Sequence, residues 1–360
     1  PISLTLDFDG SGKELETLAL NAKLNFQQLL FRDYDYKGLA LNADVKNKNA
    51  DVTISFSDEN LDFDLTLKAL LDSVNTVADL TIDLRGADLK DLNLQANPMK
   101  VATLLNASFE GNAEDFNSKL TLKKNIVVQQ DDSFRLDSVF ASLSNSNTAT
   151  DLRINSEVLN GRLTGNTSIQ TLISSLQSYQ KQMMGGDSTK TDTTYKDLDM
   201  EASFTIVNSP IISEVFVPQL ERLDTVTLQL AFKPSEEILR ADLKAPGIVY
   251  GGSEISQLFL DLDATRSSTD VQFGFDHASS GPVDVYATRL NVNLNSGSGT
   301  ASLNIKDAQE QDVFYTGLDI SKIGQSTLLK VSLEKLILNS KPWNIPESNQ
   351  IRIDPDLTRF

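Results

Sequence analysis

The stretch Leu61-Asp62-Phe63-Asp64-Leu65-Thr66-Leu67-Lys68 alternates apolar and polar side chains without a miss. A period of two is that of an extended chain, so Leu61, Phe63, Leu65 and Leu67 share one face of a strand and their neighbours share the other. The same period recurs upstream in Ile2, Leu4, Leu6, Phe8, in Leu18, Leu20, Ala22, Leu24, Phe26, and in Val52, Ile54, Phe56. Downstream it returns in Val226, Leu228, Leu230, Phe232, in Leu258, Leu260, Leu262, in Val271, Phe273, Phe275, and in Leu290, Val292, Leu294. Strands with one dry and one wet face predict a mainly β, antiparallel protein.

Turn chemistry punctuates the pattern. Asp9-Gly10 and Asn160-Gly161 are the residue pairs that two-residue hairpin turns favour, and they predict such turns. Between Phe134 and Leu143 the apolar residues change parity, which predicts a bulge. Two stretches leave the strand period altogether. From about 168 to 184, Ile169, Leu172, Ile173, Leu176, Tyr179 and Met183 fall at helical spacing, with Asn166 or Thr167 as cap and Gly185-Gly186 as stop. A shorter helix is predicted near 210–217, opening at Ser209-Pro210 and ended by Pro218. Residues 185–196 hold almost no apolar side chain and read as an exposed linker. The chain therefore divides into a first β module, 1–184, ending in an amphipathic helix, and a second, 197–360.

Composition removes whole classes of function. With 50 acidic residues against 32 basic ones and a formal charge of -18, the chain is not expected to attract nucleic acid or an anionic membrane surface. There is no cysteine, and His277 is the one histidine, so thiolate chemistry and histidine metal clusters are excluded and a Ser-His-Asp triad would rest on a single ring. Asp7 and Asp9 lie near Gly10 and Gly12 but lack the further oxygen ligands of a calcium loop. No nucleophile elbow, phosphate-binding glycine loop or zincin motif is present. We expect no enzyme activity, no cofactor and no metal. No run approaches a membrane-spanning helix, and Pro1-Ile2-Ser3-Leu4 is not a signal peptide, as expected of an internal piece of a longer protein.

Roughly twenty alternating runs offer apolar faces, while only two short helices are predicted to cover them. A closed barrel or a two-sheet sandwich would bury those faces, and so would a long sheet curled along its length. Aromatics are only 7%, and Leu, Val and Ile dominate the inward positions. A curled antiparallel sheet, a U-shaped β-groove on the order of 95 Å long, would have an aliphatic floor suited to alkyl chains. The inward positions we single out as groove lining are Leu65, Leu67, Ile154, Leu228, Leu230, Leu260, Leu262, Phe273 and Val292. The same residues would also serve an ordinary packed β core.

Several longer patterns resemble one family. They are Ser133-Phe134-Arg135-Leu136-Asp137-Ser138, the run Val158-Leu159-Asn160-Gly161-Arg162-Leu163-Thr164-Gly165 leading into the predicted helix, and Ser209-Pro210-Ile211-Ile212 through Val217-Pro218-Gln219-Leu220. Ala245-Pro246-Gly247-Ile248-Val249-Tyr250-Gly251-Gly252 and Trp343-Asn344-Ile345-Pro346 complete them. Over most of residues 100 to 350 the chain resembles the AsmA-like and TamB (translocation and assembly module) proteins of Gram-negative envelopes, of the Bacteroidetes type. Residues 1 to 100 share only the strand period. The resemblance implies a periplasmic β-groove within a longer protein anchored in the inner membrane. It implies phospholipid acyl chains as cargo between the two membranes, and a possible Omp85-type barrel partner in outer-membrane biogenesis. Pairing of a sheet edge with a client strand, and a structural or adhesive β-domain with a dry core, are the other readings.

Overall fold

The computed structural model describes residues 1–130, 132–183, 197–265, 267–324 and 326–354. Among them the chain is mainly β, with one antiparallel sheet of 25 strands that does not close into a barrel. It forms two compact units, Pro1–Arg162 with Ser209–Phe216, and Leu163–Asn208 with Val217–Phe360. The first carries β1 (Ile2–Ser11), β2 (Ala19–Phe31), β3 (Tyr34–Asp35), β4 (Ala40–Lys46), β5 (Asn49–Ser57), β6 (Leu61–Leu70), β7 (Thr76–Asp88), β8 (Met99–Gly111), β9 (Phe116–Gln129), β10 (Asp132–Leu136), β11 (Val139–Ser146) and β12 (Ala149–Asn155). A further strand, β13 (Leu159–Gly165), spans the division. The second unit carries one helix, α1 (Ile169–Met183), followed by β14 (Met200–Ile206), β15 (Leu220–Leu223), β16 (Val226–Lys233), β17 (Ile238–Tyr250), β18 (Ser253–Ala264) and β19 (Ser268–Ser280). It continues with β20 (Val283–Asn295), β21 (Ser298–Lys306), β22 (Asp312–Ile323), β23 (Ser326–Leu338), β24 (Lys341–Pro342) and β25 (Ile351–Ile353).

The strands are joined mostly as hairpins, but not where the two glycine pairs suggested. Asp9 and Gly10 lie inside β1, paired with Asn21 and Leu20, and the chain turns after them, between Ser11 and Ala19. Asn160 and Gly161 lie inside β13, and the turn before it is Ser156-Glu157-Val158. Ser156 fixes that turn: its Oγ accepts the amide of Leu159 at 2.9 Å, and its carbonyl accepts the Asn160 side-chain amide at 2.7 Å. Among the described residues the two-residue turns with left-handed backbone at both positions are instead Arg32-Asp33, Asn47-Lys48, Gly251-Gly252, Ser296-Gly297 and Asn339-Ser340, which matches the twist of the flanking strands. The parity change after Phe134 is a break between β10 and β11, which both pair with β9. Asn125 occupies the gap, donating to the carbonyls of Leu136 and Asp137.

Each unit has one well-packed cluster, built around its helical piece. In the second, Leu172 of α1, 1% exposed, meets Leu198, Met200, Phe232, Leu239 and Ala264. In the first, the short π-helix Ile211–Phe216 sets Ile211 and Val215 on Val127, with Met99, Val101 and Val158 around them. This is why α1, expected to end the first module, belongs to the second unit, while the 210–217 helix belongs to the first. The cap of α1 is Ser168, whose Oγ accepts the Thr171 amide at 3.3 Å; Asn166 instead accepts the Asp199 amide at 2.8 Å. The predicted linker at 185–196 lies outside the described residues.

At one end of the first unit's strands, three loops are tied together by Lys48, which reaches Glu16 at 3.1 Å and Asp72 at 2.9 Å. Asp72 also accepts the Val74 amide, and these partners, the amide first, hold its carboxyl down to about 2. A carboxylate depressed below its unfolded value of about 4 adds stability that is present above that value and lost as pH falls through the folded one. Asp72→Asn is therefore expected to unfold at lower urea than the parent at pH 7, with the difference shrinking as pH falls below the unfolded value and vanishing below the folded one, measured by circular dichroism. The second unit's core predicts a larger effect. Phe232 is fully buried, so Phe232→Ala is expected to cost about 3–5 kcal/mol in denaturant titrations.

Candidate functional site

Register turns the alternation of single strands into rows that cross the sheet. In the first unit Leu6, Leu24, Leu41, Ile54, Leu65, Ile82, Leu105, Leu122 and Val139 are successive cross-strand partners, one aliphatic residue on each of nine neighbouring strands. The adjacent row runs Phe8, Ala22, Ala43, Val52, Leu67, Leu80, Ala107, Leu120, Ala141, Ile154, apolar across ten strands. On the opposite face, Asp44, Asp51, Lys68, Asp79, Ser108, Lys119, Ser142 and Arg153 form a wholly polar row. The second unit repeats the arrangement. Ala202, Leu230, Ala241, Leu262, Val271, Val292, Ala301, Leu318 and Val331 make one row. Phe204, Leu228, Leu243, Leu260, Phe273, Leu290 and Leu303 run beside it.

Every residue singled out from the sequence falls on these rows. Leu67 and Ile154 share one row of the first unit, with Leu65 on its neighbour. In the second unit Leu230, Leu262 and Val292 share one row and Leu228, Leu260 and Phe273 the other. The pattern could not say how wet these faces are. None of the nine is buried, and Leu228 and Phe273 are 37% and 36% exposed. Of the residues on these rows only Ala22 and Ala202 are buried.

Within the first unit the apolar face is hollowed. A furrow of about 440 Å³ touches β6, β7, β8, β9, β11 and β12, so this face of the sheet is concave there. Its floor is a zigzag of small side chains, Ala78, Ala107, Ser118 and Ala141, on four consecutive neighbours in the sheet. Leu67, Leu80, Phe109, Leu120, Leu143 and Leu152 stand as its walls. The floor's hydroxyl is satisfied, since Ser118 Oγ donates to the Leu143 carbonyl at 3.4 Å. The sequence reading chose Leu67 from this wall and missed the floor. Its signal was present, as alanine at inward-parity positions, but only the register brings those alanines together.

The charged and polar groups lie elsewhere. Arg85 holds Asp62 and Asp64 at 2.5 and 2.7 Å on the wet face. Asp151, bridged by Arg153 and Arg162 at 2.8 Å each, is held well below the usual carboxylate range, by hydrogen bonds from both guanidinium groups. Asp263 takes Arg240 at 3.0 Å. His277 stacks on Tyr286 with ring centroids 4.6 Å apart and sits 3.1 Å from Asp284. Among the described residues no group of three metal-ligating side chains converges. A second hollow of about 420 Å³ lies on the polar side, among Asp44, Asp51, Lys68 and Asp79, whereas the furrow is lined mainly by apolar side chains and runs across the strands. No protein-family model, curated protein or solved structure matches the chain. Ala107→Phe is expected to fill the furrow and remove at least most alkyl-chain binding by the first unit while preserving the β circular dichroism spectrum. Fluorescent fatty-acid titration measures this, with Thr81→Phe on the wet face as a control that leaves binding unchanged.

Proposed function

We propose that this chain is a non-catalytic lipid-binding groove that carries acyl chains along its apolar face. The supporting observation is the set of unbroken apolar rows, nine and ten strands wide, whose members are almost all partly exposed. Water against such a face is unfavourable, and an alkyl chain laid along it gains about 0.8 kcal/mol for each methylene it buries. No charged residue stands on the rows, so nothing there would pair with a headgroup, which is expected to project from the open side. Retention then comes from many weak contacts, as sliding requires. The resemblance to AsmA-like and TamB proteins supports placing the chain in the periplasm, as part of a protein anchored in the inner membrane. There it would move phospholipid between the membranes in outer-membrane biogenesis.

A second reading has its own observation. All ten residues of β1 are exposed, and among the described residues β1 pairs with β2 alone, so its outer edge offers unpaired backbone groups to another strand. That edge supports assembly by strand pairing, with an Omp85-type barrel protein as the partner the family resemblance suggests.

Native mass spectrometry of the protein purified from cells tests the lipid reading. Phospholipid is expected on the parent and reduced on a Leu230→Asp, Leu260→Asp variant of unchanged circular dichroism, whose first-unit face is left intact. A folded parent that carries no lipid, and takes none from vesicles of phosphatidylethanolamine, would contradict it.

A further inference from the structure

The helix α1 stands over part of the surface that the proposed cargo would use. Its Leu172 and Ser175 are 1% and 2% exposed, so one face of the helix is pressed onto the sheet. Its seat is the end of the row pattern: Met200, Phe232, Leu239 and Ala264 are successive cross-strand partners on β14, β16, β17 and β18. The seat does not stop there. Leu230 and Leu262, members of the neighbouring apolar row, pack against the same cluster, together with Leu176 of α1. From Val271 onward that row continues through Val292, Ala301 and Leu318 to Val331, and none of these five is buried. One apolar track therefore meets the α1 cluster at one end and runs on, partly exposed, beyond it.

Side chains of α1 and an alkyl chain are chemically equivalent occupants of such a track. Both are aliphatic, both need no polar partner, and neither can lie on Leu230 and Leu262 while the other does. The helix packs closely on its seat. It follows β13 directly, and Gly165 leaves room for it: a Cβ at Gly165 would lie 2.4 Å from Leu172 Cδ1. The other face of α1 leaves Ile173 54% exposed.

We infer that α1 is a built-in competitor of the cargo, a displaceable stop whose Leu172 and Leu176 occupy the β16–β18 end of the second unit's apolar track until an alkyl chain replaces them. This rests on the lipid-groove reading. Binding to one seat is mutually exclusive, so loosening the helix must tighten the lipid, by the differential free energy the two states share.

The test compares the parent with Leu172→Ala/Leu176→Ala and, as a milder perturbation, Gly165→Ala, whose backbone remains allowed and which only crowds Leu172. Each is titrated with a fluorescent fatty acid, and a diazirine-bearing fatty acid maps where the chain lies. Affinity is expected to rise about tenfold in the double variant, less in Gly165→Ala, and photolabel is expected to spread from β19–β23 onto β16–β18. Unchanged affinity and unchanged labelling, in a Gly165→Ala protein that is folded and binds lipid, would overturn the inference while leaving the groove intact. Absence of binding by the parent itself would overturn both it and the groove.

Discussion

An antiparallel ladder shows every second side chain to the same side. When those positions hold leucine, isoleucine and valine on nine consecutive neighbours, a broad apolar face results that must be covered, closed on itself or occupied. This chain does little of the first and none of the second. One α-helix and one π-helix of six residues supply the two tight clusters, one in each unit, and most residues of the rows stay partly exposed. The open sheet and the furrow both follow from that imbalance between apolar face and helical cover.

What holds such a sheet without a deep core is the ladder itself and the side-chain pairs along it. Several strands reach 13 or 14 residues, more than twice the usual strand of about 5–6. Each apolar residue touches neighbours in its own row and in the next, a contribution of about 0.2–1 kcal/mol per cross-strand pair. On the wet face, Asp–Arg and Asp–Lys pairs across strands replace self-repulsion in a chain of charge -18. They fix register more than they stabilise, because exposed pairs are screened. Long strands also set the breadth of the apolar face, since fourteen residues extend about 46 Å.

The strand period was legible because alternation is a local property: Leu65 and Leu67 face the same way whatever they pair with. The same holds for α1, whose 3.6-residue spacing needs no partner to be read. Register was not legible, since it depends on where each chain reverses. Asp9-Gly10 and Asn160-Gly161 are favourable turn pairs that the fold uses inside strands, while Ser156 and Asn160 build a turn from side-chain hydrogen bonds that composition does not announce. The furrow depends on register alone, because Ala78, Ala107, Ser118 and Ala141 are distant in sequence and meet only through three pairings. For the same reason, which unit each helical piece joins became visible only through the clusters of Leu172 and Ile211.

The central claim is that the apolar face, and not the polar one, meets lipid. Site-specific photocrosslinking in living cells tests it most directly, with benzoylphenylalanine placed at inward Leu67 and Ile154 and, on the same strands, at outward Thr66 and Arg153. The account predicts phospholipid adducts at the two inward positions and none at the outward ones. Adducts at neither pair, or at both pairs alike, would contradict it.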